Sequence, residues 1–339
     1  HASQPGEETL MSFFKTITRE SFRPFAVLSG AIVILGLVDR GSGNFLSVAT
    51  AFSVLQLFST LGLVSLALGL SLVVRGFDLS VAGMLSLAGC VAVLTGANHP
   101  WLGLAAGLAL GLAAGTLQGL VMTRLRIPPL GVTLGGLLTF QGLSYVLTEG
   151  QTIAYPNYDL ALILTEPIMG FLSYRSLITL GVFLIVALVM ANTRLGRDVV
   201  ATGSDPEASR IAGVHTDRIL IGVFALSGFL TALAGVLLSY SLAAASPVAL
   251  SDVLVPAAAA AILGGVSLGG GKGKPLGIAA GVLTLCILRS GLNAIGASPF
   301  VHEIATGGIL LVVAILDAPD LARRLTPWRL RASERSLKF

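Results

Sequence analysis

Apolar residues gather in ten blocks, near 24–38, 46–74, 79–97, 101–122, 129–148, 171–191, 219–242, 253–268, 276–294 and 300–317, with short polar breaks between them. About 20 apolar residues let an α-helix cross a bilayer, so the pattern predicts ten membrane-spanning helices. The weakest block is the short Ala-rich run 253–268. It is counted as crossing for a reason of parity. Lys15, Arg19 and Arg23 precede the first block and six basic residues, Arg323 to Lys338, follow the last. Both ends are then cytoplasmic by the positive-inside bias, and the number of crossings must be even.

The same bias puts Arg75, Arg124 with Arg126, the Arg194 to Arg218 region, and Lys272 with Lys274 on the inside. The segment Glu149 to Gly170 holds Glu149, Asp159 and Glu166 and neither Lys nor Arg, as an outer loop should. One block, WLGLAAGLALGLAAGTLQG, spaces Gly103, Gly107, Gly111, Gly115 and Gly119 four apart. Small residues at that spacing let two helix backbones approach closely in lipid, and the stripe reads as a packing device. A sliding or pore-lining surface is the alternative.

Composition agrees with the pattern: 54% of residues are hydrophobic, 11% are charged and the mean hydropathy is +0.89. A soluble domain carries roughly 25% charged residues, so this is an integral membrane protein. The net charge of +4 does not point to nucleic acid, because the basic residues sit at span ends where orientation explains them. Cys90 and Cys286 lie inside apolar runs, and His1, His99, His215 and His302 are scattered. Neither a disulfide framework nor a metal site is expected. Residues 1–10 are set aside from the fold.

Three motifs invite chemistry. In GGVSLGGGKGKPLG neither lysine completes a phosphate-binding loop, since Lys272 has no glycine six residues earlier and Lys274 is followed by Pro275. GVSLG, Gly265 to Gly269, fits a serine-nucleophile elbow with Ser267 and, in principle, His302 as base. Such elbows need a strand-to-helix turn, whereas this motif lies between two apolar helices, so a Gly/Ser turn at the cytosolic surface is preferred over an intramembrane serine hydrolase. In VVRGFDLSVAG, Arg75 and Asp78 interrupt an apolar tract. Two readings fit: Asp78 caps the next helix through the N–H groups of Ser80 and Val81 with an Arg75–Asp78 surface ion pair, or the charges serve the translocation path or its gate.

An ion-coupled carrier places acidic or histidine groups deep in its spans. Here the blocks are nearly clear of them, with Arg289, His302 and Glu303 close to the ends of the last two. The energy then comes from elsewhere. In the inner loop Asn192 to Arg218, Asp205 is a good N-cap, Pro206 suits the first helical position, Glu207 and Arg210 complement the helix dipole, and Gly213 fits a left-handed stop. The predicted helix, Pro206 to Ala212, is too short to stand alone in water. It docks either on this protein's own surface or in a groove of a cytosolic partner, where the small residues Ala208, Ser209 and Ala212 allow close approach.

With these residues in view, the chain resembles the permease subunits of ABC importers, in the ribose-type sugar permease family. The likeness runs from about Leu46 to Asp317 and rests on four segments in order: GFDLSVAGMLSLAG, IPPLGVTLGGLLTFQGLSYVLTEG, TRLGRDVVATGSDPEASRIAGV and ILGGVSLGGGKGKPLG. It implies an all-α, polytopic membrane helix bundle whose spans two to five and seven to ten are inverted repeats. It implies Asp205, Pro206, Glu207, Ala208, Ser209, Arg210, Ala212 and Gly213 as a cytoplasmic coupling helix for ATPase subunits. It also implies Phe77, Asp78, Ser80, Thr133, Asp252 and Ser267 near the translocation path or its gate.

The implied partners are two cytosolic ATPase subunits that hold ATP and Mg, a second permease subunit, and a periplasmic or extracellular substrate-binding protein. The chain itself holds no cofactor and catalyses no covalent step. It is expected in the bacterial cytoplasmic (inner) membrane, with residues 1–23 and 318–339 as cytoplasmic ends of a 24–317 permease domain. Leu254, Val255 and Pro256 stand where the family often has acidic residues, and Pro129, Leu130 and Gly131 where it has Pro-Phe-Ile. The expected cargo is a small polar solute such as a monosaccharide, received at the outer loop through Tyr155, Asn157 and Tyr158, unless that loop is a plain connection. An ion-coupled secondary transporter is the rival from another class.

Overall fold

A computed structural model describes residues 24–37, 45, 47–249, 251–294 and 296–317. Each of the ten apolar blocks holds one helix: α1 (Pro24–Leu37), α2 (Val48–Val73), α3 (Val81–Thr95), α4 (Pro100–Leu125), α5 (Pro129–Thr148), α7 (Tyr174–Asn192), α10 (Thr216–Ser241), α11 (Leu254–Leu263), α12 (Pro275–Ala294) and α13 (Pro299–Asp317). Between them lie a short helix α6 (Tyr158–Thr165), in the segment read as outer, and two more, α8 (Arg194–Ser204) and α9 (Pro206–Ile211), in the loop read as inner. A helix satisfies every internal peptide group within one segment, which is what hydrocarbon requires. The ends are specified locally. Ser47 accepts from the backbone N–H of Thr50 at the start of α2, Ser173 and Ser176 form a capping box at α7, and prolines open α4 and α5.

Six helices, α2, α4, α5, α7, α10 and α12, are long and apolar enough to cross a membrane, and α1, α3 and α11 are shorter apolar helices. The eighth block therefore departs from expectation. α11 has ten residues, a rise of about 15 Å against a hydrocarbon thickness of about 30 Å. The chain nevertheless travels the length of the bundle there. Ala244–Ala245 (β2) pairs antiparallel with Ile153–Ala154 (β1) at one end, while the Gly271 amide donates to Val73 O (2.8 Å) at the other. The remainder of the passage is irregular backbone, tolerated where protein surrounds it, and α11 is buried at Ala257, Ala259, Ala260 and Ala261 against α2 and α12.

Those contacts also bear on sidedness. The segments read as inner, around Arg75, Ser204 and Gly271, meet at one end, and 149–170, read as outer, meets the chain after α10 at the other.

α10 is the centre of the main unit, residues 1–296, and packs against α2, α3 and α4. Its contact with α4 explains the glycine stripe. All five stripe glycines are buried; a Cβ at Gly115 would lie 2.1 Å from Phe224 O, one at Gly111 2.4 Å from Gly228 O, and one at Gly228 2.1 Å from Gly111 O. The two backbones touch, as a packing device requires. The opposite faces of α4, α5 and α7 expose Trp101, Leu138, Val146, Leu184 and Ile185, side chains suited to lipid. Helix α13 belongs to a second unit, residues 297–339.

Candidate functional site

The end that gathers the segments read as inner carries the short helical peg anticipated from the sequence. Asp205 accepts from the backbone N–H groups of Glu207 and Ala208, both at 3.0 Å, and Pro206 occupies the first turn. The helix ends at Ile211, one residue earlier than expected, with Ala212 as C-cap. Gly213 then turns the chain at φ 89° and the Val214 amide donates to Ser209 O. Ser209 is buried, while Glu207, Ala208 and Ala212 are exposed and Ile211 is 87% exposed. Arg210 faces the exit of the peg, 3.6 Å from the Asp217 carboxylate and donating to Thr216 Oγ1.

What precedes the peg is helix, not loop. α8 buries Gly196, Val199, Thr202 and Gly203 along one side and exposes Arg194 and Arg197 on the other. Its last turn is held by Arg75. The Arg75 Nε donates to Gly203 O at 2.6 Å and its Nη2 donates to Ser204 O. The Arg75–Asp78 surface ion pair expected as one reading is therefore corrected: the two side chains turn to different partners.

Asp78 points inward and is 2% exposed. One carboxylate oxygen accepts from Ser80 N (3.0 Å) and Ser80 Oγ (2.6 Å), the other from Ser227 Oγ (2.6 Å) on α10. The cap reaches Ser80 and not Val81. Ser80 Oγ also lies 3.1 Å from the amide oxygen of Gln118 on α4. A hydroxyl has one proton and this one is given to Asp78, so the Gln118 amide is best turned to donate to Ser80 Oγ. That turn also gives a partner to the buried Gln118 Nε2, which otherwise has none. Thr133 Oγ1 on α5 donates to Phe77 O at 2.8 Å. Phe77, Asp78, Ser80 and Thr133 thus form one polar cluster at the α2–α3 elbow, joined by Gln118 and Ser227. Asp252 and Ser267 are not part of it: they flank α11 at its opposite ends. Asp252 is exposed in the turn Ser251–Val253, and Ser267 Oγ accepts from Gly269 N within its own glycine turn. No strand leads into that turn among the described residues, so the nucleophile-elbow reading of Ser267 has no structural basis.

At the outer end the aromatic residues divide. Tyr155 is fully buried, stacked on Tyr240 with ring centroids 4.7 Å apart and 3.3 Å from Gly96 O. Tyr240 OH donates to Pro100 O. Direct contact of Tyr155 with a partner is corrected by this burial, which also pushes its phenol above the ordinary range. Asn157 caps α6 through Leu160 N, and Tyr158 stands 62% exposed. Beside them, in the first turn of α7, Arg175 is only 7% exposed; it donates to Ser241 Oγ (2.7 Å), Gln56 O (2.9 Å) and Thr60 Oγ1 (2.6 Å), while its Nε has no partner. Arg175 is a buried charge within the sixth block, of a type that the expectation about acidic and histidine groups did not cover.

With this geometry in place, comparison is informative. A family model described as "Branched-chain amino acid transport system / permease component" matches residues 50–314. The ribose import permease protein RbsC of Escherichia coli K12 is 32% identical over 305 residues, 86% of this chain and 92% of its own length. The chain belongs to the ribose-type sugar permease family of ABC importers. This permease is also 32% identical to the L-arabinose transport system permease protein AraH of E. coli K12 (76% of this chain, 78% of the relative). The fructose import permease protein FrcC of Rhizobium meliloti is 30% identical (87% and 84%). No solved structure matches. The permease is a multi-pass membrane protein and a transport component, not an enzyme.

The residues missed by sequence reasoning are Arg75 in its real role, Gln118, Arg175 and Ser227. A lone Gln or Arg inside an apolar block is a usable signal for the second and third. Ser227 carries none, since small hydroxyls are unremarkable in a span.

Proposed function

We propose that this permease carries a monosaccharide inward across the bacterial cytoplasmic membrane, driven by ATP and Mg held in separate cytosolic ATPase subunits. The relatives named above are import or transport permeases for ribose, L-arabinose and fructose, which supports the sugar class. A second permease subunit would complete the translocation path, and an external binding protein would deliver the cargo, meeting Tyr158 in the outer loop. The elbow cluster of Phe77, Asp78, Ser80 and Thr133, extended by Gln118 and Ser227, serves as the inner gate. Asp252 and Ser267 sit outside that cluster and are not assigned to it.

The observation that carries the reading is the peg. Asp205 to Gly213 is a capped helix too short to persist by itself, it buries only Ser209, and it leaves Ile211 almost wholly exposed. An apolar anchor among polar neighbours is the form a docking contact takes. In proteoliposomes with the ATPase and binding protein, Ile211→Glu is expected to lower ATP-driven sugar uptake by about tenfold or more. The thermal midpoint of the permease should not move, because the side chain is exposed. Uptake at the unaltered rate rejects the coupling assignment.

A further inference from the structure

We propose that Arg75 is a positioning residue that links the coupling peg to the α2–α3 elbow, so that movement of α9 reaches the gate through its guanidinium. The proposal rests on the coupling role assigned above to Pro206 to Gly213.

The acceptors are the carbonyls of Gly203 and Ser204, in the last turn of α8 immediately before the Asp205 cap of the peg. Carbonyls there lack helical partners, and a planar guanidinium can hold two of them at once. Arg75 makes this contact from a left-handed backbone, φ 62°, where a side chain is strained and glycine is at ease. Such a conformation persists when its surroundings fix it, and the grip on α8 is the fixing contact.

The grip sits in a knot without slack. A Cβ on Gly203 would lie 1.7 Å from Val73 O, the Gly271 amide donates to Val73 O at 2.8 Å, and a Cβ on Gly271 would be 2.3 Å from Ser204 Oγ. The end of α2, the α8–α9 joint and the glycine loop therefore meet backbone against backbone, and side-chain rotation cannot absorb a displacement. Beyond Arg75 the chain is held at once. Phe77 O is bound by Thr133 on α5, and Asp78 by Ser80 at the start of α3 and by Ser227 on α10.

A covalent route also runs from α9 into α10 through Val214 and His215, so the test must separate the two. Arg75→Gly removes the guanidinium and relieves the backbone strain. In proteoliposomes carrying the ATPase and binding protein, the variant is expected to keep its ATPase partner on copurification. Sugar taken up per ATP hydrolysed is expected to fall about tenfold, within the 5–150-fold range of coupling energies. Arg75→Lys, with the charge but not the fork, should lie between. If the path continues through Asp78, adding Ser227→Ala to Arg75→Gly lowers the ratio no further than the worse single change. An unaltered ratio in Arg75→Gly, equal losses in uptake and hydrolysis, or fully additive losses in the double variant would each overturn the proposal. Absence of any ATPase partner with the unaltered chain would instead overturn the coupling reading beneath it.

Discussion

The two ends of the bundle are fastened by opposite means. At the outer end two ties are buried, a Tyr155–Tyr240 stack and Arg175 inside α7 reaching α2 and α10, beside the more exposed β1–β2 pairing. At the inner end a buried Asp78–Ser80–Ser227 cluster lies behind glycine backbones in contact and a partly wetted guanidinium, and these last two face the α8–α9 joint. Buried polar ties fix one arrangement, because releasing any of them strands a donor or acceptor away from water. Tight backbone contacts with an exposed cation fix the distance between segments while leaving water at hand to take over the hydrogen bonds. On the coupling role proposed above, the outer end holds and the inner end transmits.

The contrast is open to attack, beginning where the effect is largest. Arg175→Ala removes donors from Ser241 Oγ, Thr60 Oγ1 and Gln56 O. It is expected to destabilise the permease by about 2–4 kcal/mol, read as a lower thermal midpoint in detergent; an unchanged midpoint would remove Arg175 from the outer fastening. Gly203→Ala forces α8 away from Val73, at about 1–3 kcal/mol for an overpacked contact, and uptake should fall by a larger factor than stability alone explains. Equal loss of both would make the inner knot merely structural. Tyr155→Phe keeps the stack and deletes the hydroxyl with its bond to Gly96 O, for about 0.5–1.5 kcal/mol and near-normal uptake. A large transport defect would return Tyr155 to the partner contact its burial denies.

Much of the helical plan was legible because apolarity and charge are local properties. The Asp205–Pro206 start and Gly213 stop could be read to within a residue, since caps are decided by neighbours in sequence. The elbow was legible in part. Asp78 stood out as a charge at a helix break, yet Ser227 lies 149 residues away and the Gly203 held by Arg75 lies 128 away, and no local pattern encodes such pairs. The three-residue spacing of Arg75 and Asp78 invited an ion pair that their opposite directions forbid. α8 was hidden because Gly196, Gly203 and its charges look like loop, although the glycines are there for close approach to Met190 and Val73. Tyr155 in a polar outer segment reads as a contact residue until its ring is found beneath the loop.

The seam between α4 and α10 limits how this bundle can alternate its access. Gly111 and Gly228 each receive the other's carbonyl, like two notched planks. Sliding by a single residue, about 1.5 Å, would press Ala232, whose Cβ already faces Gly111, into the α4 main chain. The same close approach joins α10 to α3, where a Cβ on Gly235 would lie 2.1 Å from Leu85 O, so these three helices are expected to travel together as a single girder during a transport cycle.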